Sequence, residues 1–332
     1  MGEIVGAGIL AHSPTIMLPR DVRHELNEGR EISLVPALAR LRAEVFERLD
    51  YDTVVVFDSH WATTVEFVIA AQAHRAGLYT SEELPRGMRQ IPYAFPGDPE
   101  LAHTTAGFAA GHGTWITPIE DPFLPIHYAT VNLWHHLGVP GKRWMGIGCC
   151  QTADVEDNLR LGRALADGIA AIDRRVLLIA SGAFSHTFWS LRELRDHEAS
   201  DPVHVRTPQA RAADEQRIAW MERGDHASVL AGMPDFLRHK PEARFGHYLM
   251  MLGALGEERC TAPGRLVGDY ENATGTGQAH VWFDRPAGGW TAPGPHTSRV
   301  GDPTSRTADP RSRVADPRSR VADPHTSRGR AE

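Results

Sequence analysis

Residues 53–61 read TVVVFDSHW, and the fold is decided here. Thr53 to Phe57 are all β-branched or aromatic, with no polar alternation, which is the pattern of a strand covered on both faces of its sheet. Polar Asp58, Ser59 and His60 follow directly. Upstream, Leu34, Leu38, Leu41, Val45 and Leu49 recur at spacings of 4, 3, 4 and 4, which predicts one face of a helix. Further upstream, IVGAGIL at residues 4–10 predicts a first strand. Downstream, Asp154 can cap a helix whose stripe is Val155, Leu159, Leu165, Ile169 and Ile172, and VLLIAS at 176–181 predicts the next strand. Residues 208–256 read as mostly helical, and HVWF at 280–283 as a closing strand. Alternation of this kind predicts an α/β fold: a single domain, residues 1–288, with a largely parallel central sheet flanked by helices.

Residues 289–332 differ in kind. They are Pro, Gly, Ser, Arg and Asp, with a unit close to RVADPRS recurring between Arg306 and Arg320. So little large apolar surface cannot offset the entropy of ordering, and the stretch is expected to be a disordered, low-complexity tail.

The 332 residues carry a net charge of -7, which disfavours nucleic acid as a partner because phosphate binding runs on a basic face. No apolar stretch approaches the roughly 20 residues that span a bilayer, so no membrane association is expected. The opening MGEIVGAGILAHSP lacks the basic start of a signal peptide. Three cysteines, with Cys149 and Cys150 adjacent, make no CxxC pair, which fits buried thiols in a reducing cytoplasm.

Eighteen histidines are unusual, and position separates them. His12, His60 and His186 each follow a predicted core strand. Ligands of open α/β sheets bind beyond the carboxyl ends of strands, so these three junctions can converge on one site. Glu242 stands in PEARFGHYLMMLGALG, which predicts a helix with Pro241 in its first turn and Gly256 just past its end. Taken alone, Glu242 is a carboxylate favourable in a helical first turn. His112, between glycines in GHGTW, is either a surface-loop residue or one presented to a cavity by a tight turn. His135 and His136 point to different faces and read as structural. GTGQ at 275–278 is no dinucleotide fingerprint and predicts a turn.

Four segments together resemble the class III extradiol ring-cleaving dioxygenases: AHSPTIMLP around His12, DTVVVFDSHW around His60, ASGAFSH around His186, and Glu242 through MLGALG. The resemblance spans roughly residues 4–285. GLYTSEELP (77–85), GDPELA (97–102) and the late GTGQ are most similar to the branch that acts on 3,4-dihydroxyphenylacetate. The resemblance implies Fe(II) held by His12, His60 and Glu242. It implies His186 as the acid–base residue beside the O2 site, and His112 as a second active-site histidine, although the branch named above tends to carry tyrosine there. Substrates would be a small catechol and O2, the product a muconic semialdehyde, and the assembly a homo-oligomer in the cytoplasm. Two imidazoles and one carboxylate are the facial triad of non-haem Fe(II). Zinc accepts the same donors, so a zinc hydrolase or a non-catalytic scaffold of the same fold are the alternatives, although HExxH and paired CxxC spacings are missing.

Overall fold

A computed structural model of the chain describes residues 1–85 and 87–291. Its strands are β1 (Glu3–Leu10), β2 (Thr53–Thr63), β3 (Phe67–Ala70), β4 (His74–Tyr79), β5 (Ile91–Pro96) and β6 (Ile116–Ile119). They continue with β7 (Arg143–Cys150), β8 (Arg175–Ser181), β9 (Gly264–Leu266), β10 (Glu271–Ala273), β11 (Thr276–Gln278) and β12 (His280–Asp284). Eight of them form one sheet in the order β6-β3-β7-β2-β8-β1-β12-β9, while β4–β5 and β10–β11 pair separately. The middle four, β7-β2-β8-β1, are mutually parallel. Their carboxyl ends therefore share one edge, and β12 and β9 close the sheet antiparallel beside β1. The α/β expectation holds.

Why TVVVF is unbroken is visible in the packing. Val55 and Phe57 point into the core layer that contains Leu161, Leu165 and Leu252, whereas Val54 and Val56 point into the opposite layer with Leu34, Leu38 and Trp144. Each fully buried side chain of this kind stabilises the fold by about 1.5–3 kcal/mol. The Val155–Ala171 helix starts at the expected place, with Asp154 and Asp157 forming a reciprocal capping box. It crosses the Gly246–Leu255 helix so closely that a Cβ on Gly162 would lie 2.2 Å from the Met250 carbonyl oxygen, and one on Gly253 2.4 Å from that of Leu159. Only glycine permits that approach.

The helix expected over 34–49 is shorter. It is α-helical over Leu34–Leu41 and then widens into a π-turn over Arg42–Phe46. The widened turn changes the phase of the stripe: Val45 and Phe46 are buried, and Leu49 is left 36% exposed. At the other end, residues 289–291, assigned to the tail from the sequence, pack on the domain. The Trp290 indole donates to the Ile4 carbonyl at 2.9 Å, and Thr291 pairs with Cys260. The rest of the expected disordered tail, 292–332, lies outside the described residues. Among the described residues no helix is long and apolar enough to cross a membrane.

Candidate metal centre

β1 ends at Leu10 and delivers Ala11 and His12 to the carboxyl edge of the sheet. The Ala11 amide is shared between the Ala279 carbonyl at 3.3 Å and Nδ1 of His280 at 3.1 Å. The other ring nitrogen of His280 donates to the Leu34 carbonyl at 3.2 Å. Complete burial pushes the His280 pKa down to about 3, so the folded protein keeps this ring neutral. A pH prediction follows from the sign. The unfolded imidazole binds a proton below its ordinary value of about 6.5, while the folded one does not, so this site's contribution to stability is lost as pH falls from there. The loss amounts to about 2 kcal/mol by pH 5. Asp214 and Glu271, which burial raises to about 7, act with opposite sign, so the measurement is a comparison. His280→Phe should unfold at a lower temperature at pH 7 and lose less of its stability than the parent between pH 7 and pH 5. Equal losses in thermal scans of the two proteins would contradict a neutral, buried His280.

Behind the His12 ring, Ser181 at the end of β8 donates its hydroxyl to the Ala129 carbonyl at 2.8 Å. Its oxygen, 3.0 Å from His12 Nδ1, must then accept from that nitrogen. The proton is thereby fixed on Nδ1, and Nε2 faces the cavity with its lone pair free. Asn132 anchors the same residue through its backbone carbonyl at 2.8 Å. Such outer partners set ligand tautomers, and their loss typically costs about 10–100-fold in metal affinity. Ser181→Ala should weaken binding of a divalent cation here by about that factor, read by anaerobic metal titration; an unchanged dissociation constant would show that Ser181 does not set the ring.

His60 does not follow β2, as expected from the sequence, but sits within it on a bulge. The ladder to β7 jumps from Asp58↔Gly148 to Ala62↔Cys149. Asp58 Oδ1 accepts from the two amides this frees, His60 at 3.0 Å and Trp61 at 2.9 Å, and Oδ2 accepts from Thr130 at 2.6 Å. The bulge turns the imidazole inward.

Glu242 corrects the sequence reading in its surroundings. It is not in the first turn of an α-helix, because the helix begins only at Gly246. Ala243, Arg244 and Phe245 have φ of 45°, 56° and 65°, a left-handed turn that folds the chain back over the site. The 240–242 segment lies beside residues 184–186, with His186 N donating to Lys240 O and Glu242 N to Phe184 O, both at 3.0 Å. Glu242 and His186 are thus brought to one cavity by neighbouring strips of backbone. The carboxylate accepts from Ser59 Oγ at 2.6 Å and from the Ala183 amide at 2.5 Å. Burial would raise its pKa, but the imidazoles of His186, His12 and His60 outweigh burial and hold it well below the usual range.

His12, His60 and Glu242 each offer a donor atom within 4.8 Å of the others. Glu242 Oε1 is 3.5 Å from His12 Nε2 and 3.3 Å from His60 Nε2. Two imidazole nitrogens and one carboxylate oxygen at these separations, with one ring's lone pair already aimed inward, fit a single small divalent cation. His186 stands opposite, its Nε2 4.0 Å from Glu242 Oε2, and burial lowers its pKa. All four residues line a cavity of about 430 Å³.

Of the two readings of His112, the structure places it at the surface and not in this cavity. His112 is on a 3-10 turn after the Pro99–Ala109 helix, does not line that cavity, and pairs through Nε2 with Asp167 at 2.7 Å. The glycines that flank it turn the chain at the protein surface. Tyr128 occupies the cavity instead, its ring 4.1 Å from that of His60. Its hydroxyl lies 2.5 Å from His60 Nε2 and donates to Glu83 at 2.9 Å. Burial, then the carboxylates of Glu83 and Glu242, hold its pKa far above the ordinary tyrosine value, so it keeps its proton. Tyr128, Ser59 and Ser181 carried no signal in the sequence; only the tyrosine habit of one branch pointed toward the first. His136, read as structural, is so: its ring bonds to the Ile16 carbonyl at 3.1 Å. Of the branch segments, Glu83, Leu84, Thr276 and Gln278 line the cavity. Asp98 of GDPELA is structural, accepting from Thr53 and Arg174.

A family profile described as the catalytic LigB subunit of aromatic ring-opening dioxygenase matches residues 6–284. The 3,4-dihydroxyphenylacetate 2,3-dioxygenase of Escherichia coli is 26% identical over 266 residues, covering 78% of this chain and 92% of that protein. The 2-aminophenol 1,6-dioxygenase beta subunit of Pseudomonas sp is 24% identical over 292 residues, 84% and 93% of the two chains. Among solved structures, an uncharacterized protein from Escherichia coli K12 matches with a TM-score of 0.56 at 18% identity, over 84% of this chain and 99% of that one. That last likeness is one of fold.

Proposed function

The chain belongs to the LigB family of aromatic ring-opening dioxygenases, and from that premise we propose that it is an extradiol enzyme. In this reading Fe(II) is held by His12, His60 and Glu242, and a catechol is opened with O2 to a muconic semialdehyde in aromatic compound catabolism. The observation that carries the reading is the meeting of two imidazole nitrogens and one carboxylate oxygen at the wall of one cavity. The two relatives are named for 3,4-dihydroxyphenylacetate and 2-aminophenol, rings with adjacent oxygen or nitrogen substituents, which supports an ortho-disubstituted ring here. Iron, when bound, would supply coordination positions for substrate and O2 and a path for electrons between them.

The protein's own groups do the rest. His186, kept neutral by burial, takes the proton of a catechol hydroxyl on Nε2 and later returns it to the departing oxygen. Tyr128, which keeps its proton, would turn its hydroxyl from Glu83 to donate a hydrogen bond to a substrate oxygen bound beside it. Ser181 holds the His12 ring in the ligating tautomer. Unpaired thiols at Cys149, Cys150 and Cys260 support a reducing, cytoplasmic setting. The homo-oligomer implied by the resemblance is measured by light scattering on the full chain.

The deciding experiment is anaerobic reconstitution with Fe(II), then catechols in an O2 electrode. Catechol-dependent O2 uptake with a yellow ring-opened product is expected. Tight zinc with no uptake from the iron-loaded protein would overturn the reading.

A further inference from the structure

The cavity beside the proposed iron is asymmetric in chemistry. One end holds His12, His60, His186, Tyr128 and Glu242. The other is built from Leu18, Leu26, Leu84, Phe188, Leu191 and Leu194. Phe188 and Leu191 stand at the mouth, 52% and 88% exposed. The remaining charges in the wall are the carboxylates of Glu83 and Glu198, and among the described residues no lysine or arginine lines it. Arg23, in a neighbouring cleft that shares Leu18, Leu26 and Glu198, is engaged by both oxygens of Glu31 at 2.7 Å. Arg206 lies over the Trp189 ring, 4.3 Å from its centre, and is not part of the wall.

A catechol whose hydroxyls face the three donor residues places its ring substituent among these leucines. A carboxylate there leaves water, finds no lysine or arginine among the described residues of this wall and meets the like charge of Glu198, which is unfavourable on each count. An alkyl group is instead covered by apolar surface, each buried methylene adding about fourfold to binding. We infer, resting on the proposed ring cleavage, that the substrate's substituent is uncharged and apolar. The acid expected from the branch resemblance, 3,4-dihydroxyphenylacetate, is then a poor substrate for this chain.

The test ranks 4-methylcatechol, 4-ethylcatechol, 4-propylcatechol and 3,4-dihydroxyphenylacetate on the iron-loaded full chain. It reads kcat/KM in air and calorimetric binding without O2. The alkyl series should rise about fourfold per methylene, and the acid should fall at least about tenfold below 4-ethylcatechol. Glu198→Arg, a change at the partly exposed wall, should raise the ratio of kcat/KM for the acid to that for 4-ethylcatechol about tenfold. An acid cleaved and bound as well as 4-ethylcatechol by the parent would overturn the inference and leave the ring-cleavage reading standing. So would an acid-to-alkyl ratio that Glu198→Arg does not change. No O2 uptake with any catechol would overturn the ring-cleavage reading and this inference with it.

Discussion

Glu242→Ala is expected to bind Fe(II) more than about 100-fold more weakly than the parent, beyond the roughly 10–100-fold typical of losing an outer partner, and to show no turnover. The carboxylate is the only anionic donor in the candidate set, and two neutral imidazoles alone hold a hard-to-borderline cation poorly. Removing it also strands two buried donors, Ser59 Oγ and the Ala183 amide. A stranded donor costs about 1–3 kcal/mol, so the metal-free variant should also unfold at a lower temperature. Glu242→Gln separates the two effects. It leaves an acceptor for Ser59 while removing the charge, so it should recover much of the thermal stability and little of the iron. Metal analysis of the reconstituted proteins decides the matter. Full iron occupancy in Glu242→Ala would take this residue out of the ligand set.

The second large effect separates chemistry from binding. His186→Phe should keep its iron, because His186 is outside the group of three donors. Its backbone pairing with Lys240 does not depend on the side chain, so the strip that positions Glu242 survives. Turnover should nevertheless fall about 10²–10⁴-fold, the usual worth of a positioned acid–base group. Tyr128→Phe is the companion variant. It removes a hydrogen-bond donor and no proton carrier, so its loss should be the smaller of the two. Parental turnover in iron-loaded His186→Phe would remove the proton-transfer role.

What could be read from the sequence was what local pattern determines. TVVVF announced a strand covered on both faces because Val54 to Phe57 face apolar neighbours on alternate sides. Asp154 announced its helix because the capping box needs residues only three apart. His12, His60 and His186 do converge, since the parallel strands β1, β2 and β8 share one edge, although His60 sits on a bulge within β2 and not after it. Other features depend on contacts distant in sequence. Tyr128 starts an ordinary apolar helix, and nothing local reports that its ring faces a histidine 68 positions earlier. The surroundings of His112 look like those of a presented residue until Asp167 is seen across from it. The left-handed turn after Glu242 is made by alanine, arginine and phenylalanine, none of which advertises a positive φ, so the stretch reads as continuous helix. The edge strands β6 and β9, three or four residues long, are too short to stand out by periodicity.

The place of β1 has a consequence for biosynthesis. It is hydrogen-bonded on one side to residues 175–181 and on the other to residues 280–284. This strand therefore waits for both neighbours until residues 175–181 and 280–284 have been made. A nascent chain arrested before residue 280 would leave that strand with an open edge beside His12.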